Sequence, residues 1–106
     1  MHDFVGRWRI TWMSNWDQDY VDLVEPGYVE FTDDGFGEFV FGAVCGWIDA
    51  RVSTCESRIE FSWQGECEGD DLCGRGEIEF ATPCKGEGQV FIHNSDESKF
   101  IIERKI

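Results

Sequence analysis

Apolar and polar residues alternate through much of the chain. Trp8, Ile10 and Trp12 share one parity, with Arg7, Arg9 and Thr11 on the other. Ile59, Phe61 and Trp63 alternate with Arg58, Glu60 and Ser62, and Ile78 and Phe80 with Glu77 and Glu79. A period of two predicts strands with one face buried. The aromatic and β-branched residues that fill these runs suit a pleated surface. Turn-forming residues divide the runs. Asp33-Asp34-Gly35 closes a hairpin between residues 28–32 and 36–44, and Val44-Cys45-Gly46 separates that run from 47–53. Thr54–Glu56 leads into 57–64, and an acidic loop is predicted over 65–74. A strand over 75–81 is followed by a loop from Pro83 to Gly88, and Asn94-Ser95-Asp96-Glu97-Ser98 joins 89–93 to 99–105. With 4–13 at the start, this makes eight strands. The long first connection carries Trp16, Tyr20 and Leu23 about one helical turn apart, which predicts either a single amphipathic turn or a full helix over 16–24.

Eight short antiparallel strands joined by hairpins predict an all-β, up-and-down barrel, because closure removes the two edges an open meander would leave. A two-sheet sandwich is the alternative. A barrel of this size is either filled by side chains or holds one small ligand.

Composition narrows the function. The 106 residues form one domain, and 15% aromatics exclude intrinsic disorder. With 22 acidic against 9 basic residues the net charge is −13, which disfavours nucleic acid and anionic membranes as partners. No apolar run reaches the roughly 18 residues of a membrane helix. No secretory signal pattern opens the chain, so a cytoplasmic location is expected. The 5 cysteines are odd in number and contain no C-x-x-C pair, so neither a disulfide scaffold nor a zinc knuckle is expected. Gly74-Arg75-Gly76 precedes a strand and cannot cradle a phosphate at a helix start. The acidic stretch 66–71 lacks EF-hand spacing. No cofactor or metal is expected.

Gly6-Arg7-Trp8 opens the first strand as G-x-W, and Arg104 stands near the end of the last. This pairing resembles the calycin pattern of lipocalins and their relatives. It implies a calycin-like barrel whose base is closed by Gly6, Trp8 and Arg104. The chain is shorter than the usual lipocalin, so the resemblance carries the barrel rather than a large cavity. Met13-x-x-Trp16-Asp17, Tyr20-x-Asp22-Leu23, Glu60-Phe61-Ser62-Trp63, Cys73-Gly74-Arg75-Gly76 and Phe91-Ile92-His93 also resemble a family of small bacterial proteins with no established activity. That resemblance implies a bacterial, cytoplasmic barrel and no particular chemistry.

With the Trp8 end as the base, alternating strand direction brings Trp12, Trp47, Trp63, Arg75 and His93 to the mouth, together with the connection carrying Trp16 and Tyr20. Barrel mouths with a few converging polar groups are common ligand sites. The leading expectation is therefore a non-enzymatic binding module for a small, partly apolar ligand. Trp12, Trp16, Tyr20 and Trp63 would supply apolar contact, and Arg75 and His93 polar handles. The same aromatics would equally plug a small barrel. Trp47 shares the parity of Asp49 and Arg51 and is expected to face outward. The alternative function is thus an acidic protein–protein interaction module, meeting a basic partner or a second copy of itself. The parity class Asp49, Arg51, Glu60, Ser62, Arg75, Glu77 and Glu79 is either an acid–base site or a solvated outer face. Ser62 lacks a nucleophile-elbow setting, and no catalytic residue is assigned.

Overall fold

The computed structural model describes residues 4–53 and 57–104. Thr54–Glu56, the expected lead into the fifth strand, and Lys105, the expected end of the eighth, lie outside the described residues. The strands are β1 (Gly6–Met13), β2 (Tyr28–Phe31), β3 (Phe36–Phe41), β4 (Val44–Ser53), β5 (Arg58–Cys67), β6 (Asp70–Thr82), β7 (Lys85–Ile92) and β8 (Glu97–Glu103). Each pairs antiparallel with the next, and β8 returns to β1, closing an eight-stranded up-and-down barrel. One short helix, α1 (Gln18–Val21), follows β1.

Three connections are tighter than the sequence predicts, each for a local reason. The β3–β4 turn falls at Gly42 and Ala43, not at Val44-Cys45-Gly46. Gly42 takes a left-handed φ of 56° and lies against the Tyr20 ring, where no side chain would fit. The expected acidic loop 65–74 is a two-residue hairpin. Glu68 and Gly69 both have positive φ, 51° and 90°, which matches the twist of the flanking strands. Glu66 and Asp71 therefore face each other across a ladder. The turn after β6 falls at Pro83 and Cys84, which releases Gly86 and Gly88 into β7.

Those released glycines belong to a wider pattern that fills the barrel. Gly46, Gly76, Gly86 and Gly88 sit where a large ring needs room. A β-carbon on Gly46 would lie 2.5 Å from Cε2 of Phe39, and one on Gly76 2.7 Å from Cε2 of Phe61. One on Gly88 would lie 2.5 Å from Cζ of Phe100. Alternating large and small residues lets rings from one strand lie over the bare backbone of the next. Phe39 meets Trp63 edge-on with centroids 5.0 Å apart, and Phe41 stacks on Phe39 at 5.8 Å.

At the base, Trp8 is fully buried and its indole donates to the Phe4 carbonyl. The Arg104 guanidinium lies 4.1 Å over the Trp8 ring and donates to the carbonyls of Val5 and Pro83. Phe4 stacks on Phe80 beneath it.

Candidate functional site

The mouth is built by the connection after β1. Asp17 caps α1 by accepting a 2.9 Å hydrogen bond from the Tyr20 amide, so the helix starts there and runs a single turn. Trp16 packs on Phe41 with centroids 5.0 Å apart and on Tyr20 at 6.2 Å, while Val21 is fully buried. Asp22 then fastens the loop. Its carboxylate receives both terminal nitrogens of Arg9 at 2.7 Å, the Gln18 amide at 3.1 Å and the Gly27 N–H at 2.9 Å. Those bonds, Arg9 first, hold the Asp22 carboxyl far below the usual carboxylate range. A hydroxyl cluster joins the seam nearby. Ser14 and Ser98 lie 3.3 Å apart, and the Ser98 hydroxyl accepts from the Asn15 amide.

Behind this plug the interior holds a gap of about 10 Å³, lined by apolar side chains that include Ile10, Met13, Phe39 and Phe61. That is no more than one water molecule requires, and its walls offer no hydrogen bond.

The six expected ligand-binding residues are not brought together. Trp63 is buried in the core, with its indole N–H 3.3 Å from the Phe91 carbonyl. Trp16 and Tyr20 form the plug. Trp12 faces outward, 45% exposed, where inward parity predicts burial. The cause is a β-bulge between Ile10 and Trp12. Ile10 pairs with Ile102 but Trp12 with Ile101, which switches the face. Arg75 lies exposed on the outer wall between Ser62 and Phe91. His93 is exposed in the β7–β8 turn, where its amide donates to the Cys73 carbonyl.

The outer wall has an organisation of its own. The register sets Phe36, Asp49, Ser62, Arg75 and Phe91 in one row across β3 to β7, and Glu38, Trp47, Gln64 and Cys73 in the next. A third row holds Arg51, Glu60, Glu77 and Gln89. Phe36 and Trp47 are each 56% exposed. They are diagonal neighbours, a relation that spans about 7–8 Å in such ladders. Together with Asp49, Ser62, Gln64 and Cys73 they border a shallow groove of about 310 Å³. Asp49 is ion-paired with Arg51, two residues along the same strand. Lower on the wall, Arg58 holds Glu77 and Glu79. The parity class from Asp49 to Glu79 is thus an outward-facing stripe of charge pairs. Arg75 has no ion pair among the described residues.

Phe36 was not singled out in the sequence, because a phenylalanine beside a turn looks like core. Its parity with Glu38, opposite to Phe39 and Phe41, is the signal that marks it. Among the described residues no three His, Cys, Asp or Glu side chains are arranged to hold a metal ion, and no helix is long and apolar enough to cross a membrane. No family model, curated protein or solved structure matches the chain.

Proposed function

We propose that this protein is a non-catalytic interaction module, which presents the Phe36–Trp47 face of its barrel to a basic protein partner. The observation that carries the reading is the pairing of a filled interior with two aromatic rings left more than half exposed on the outer wall. Exposed tryptophan is scarce on free surfaces and frequent at the centres of interfaces. Glu38 and Asp49 flank the rings, and the net charge of −13 steers cations toward the chain and works against self-association. The Gly6, Trp8 and Arg104 base supports kinship with the calycins, whose barrel here serves as a rigid frame. A small-molecule pocket at the mouth would require Trp16, Tyr20 and Val21 to lift together.

The test is binding of fluorescein-labelled lysine- and arginine-rich peptides, followed by anisotropy across a salt series, for the natural chain and for Trp47→Ser. Salt-sensitive binding that weakens about tenfold or more in Trp47→Ser is expected, since buried tryptophan anchors are worth roughly 2 kcal/mol or more. Binding indifferent to Trp47 overturns the reading. So does a tight adduct of a few hundred daltons in native mass spectrometry, which would return function to the mouth.

A further inference from the structure

Resting on that reading, we infer that the groove beside Trp47 takes an arginine side chain of the partner on the Asp49 carboxylate, which Arg51 holds from the neighbouring groove until the partner arrives. Asp49 and Arg51 both project outward from β4, and Arg51 donates to both carboxylate oxygens of Asp49. A carboxylate already engaged by two guanidinium nitrogens is shaped for a second guanidinium, because the planar fork matches its two oxygens. The pair is open to exchange. Asp49 is 46% and Arg51 75% exposed at the side chain, and ion pairs this open are weak.

What an incoming arginine gains, Arg51 lacks. Phe36 is the direct cross-strand partner of Asp49, and Trp47 precedes Asp49 on its own face. A guanidinium held by Asp49 from outside therefore lies beside two exposed rings, on which guanidinium planes stack well. Ser62, opposite Asp49, and Gln64, opposite Trp47, add side-chain oxygens for its remaining N–H groups. The other described carboxylate–arginine contacts are engaged elsewhere on the barrel. Asp22 is locked into its loop by four hydrogen bonds, Glu60, Glu77 and Glu79 share Arg58, and Glu30 holds Arg7, whose guanidinium already lies over the Tyr28 ring. Lysine carries the charge but not the fork, so the groove discriminates between the two cations.

The experiment measures the affinity of a labelled peptide with arginines at alternate positions in a glycine–serine background, beside its lysine and citrulline counterparts. Arg51→Gln is expected to tighten arginine-peptide binding by up to about fivefold, the range spanned by an exposed ion pair. Lys99→Gln, the same charge change on β8 at the far wall, is expected to leave affinity unchanged. Asp49→Asn should abolish both the binding and the effect of Arg51→Gln, with circular dichroism confirming an intact fold. Equal gains in Arg51→Gln and Lys99→Gln, no gain in Arg51→Gln, or equal affinity for the lysine peptide would overturn the inference. In each of those cases, Trp47-dependent binding leaves the broader reading standing. Loss of Trp47 dependence for every basic peptide removes both.

Discussion

Replacing Gly46 with alanine tests the packing rule that fills this barrel. The new methyl would lie 2.5 Å from Cε2 and 3.0 Å from Cε1 of Phe39, well inside van der Waals contact. The ring has little room to yield, because it is buried and braced by Trp63 edge-on and by Phe41 face-on. Overpacking of this kind costs about 1–3 kcal/mol. Alanine in a strand returns about 0.5–1 kcal/mol relative to glycine, since it has less backbone freedom to lose. The expected net destabilisation is therefore about 0.5–2 kcal/mol. Phe39→Ala alone should cost about 3–5 kcal/mol. With the ring gone the clash disappears, and Gly46→Ala in the Phe39→Ala background should stabilise by about 0.5–1 kcal/mol. The cycle thus predicts a coupling of roughly 1–3 kcal/mol, in the range seen for residues in direct contact. Urea titrations followed by tryptophan emission and circular dichroism, at constant m, give all four stabilities. Additivity within about 0.5 kcal/mol would show that Gly46 does not exist to seat the Phe39 ring, and the account of the filled interior would fail with it.

Further outcomes follow from the base, the core and the mouth. Trp63→Ala should cost about 3–5 kcal/mol and leave an apolar hole. Added indole should then raise the melting temperature of the variant but not of the natural chain, by calorimetry. Arg104→Gln keeps a hydrogen-bonding end but removes the charge over Trp8, and should lower stability by about 1–2 kcal/mol in chemical denaturation. The folded-state pKa of Asp22 lies below its unfolded value, so its stabilisation is complete above about pH 4 and drains as acid protonates the carboxylate. Asp22→Asn should therefore cost about 1–2 kcal/mol at pH 7, discounted for partial exposure, and show a smaller loss of stability than the natural chain between about pH 5 and pH 2. Parallel acid losses in the two proteins would remove Asp22 from that role.

The barrel was legible because its strands are half-buried and alternate cleanly. Ile59, Phe61 and Trp63 point inward as their period demands. Turn positions were less legible, because glycine has two uses in this chain. Gly69 turns the backbone, Gly46, Gly76 and Gly88 make space for rings, Gly42 does both, and the one-dimensional pattern does not separate them. That ambiguity displaced the β3–β4 turn and lengthened two predicted loops. Trp12 escaped for a related reason. One extra residue in β1 reverses parity, and nothing in Ile10-Thr11-Trp12 announces it. The outward setting of Trp47 could be read from Asp49 and Arg51, but its companionship with Phe36 depends on a register set by the hairpin.

The seam between β1 and β8 joins residues about ninety positions apart, Met13 to Phe100 among them. A ribosome releases β1 long before β8 exists, so the nascent sheet carries two unpaired edges for most of its synthesis. Exposed edges recruit strands from neighbouring chains, and non-local pairings form slowly. The crowd of carboxylates on the outer wall then has a use before any partner is met. Growing chains of like charge repel one another until the last strand arrives and the circle is complete.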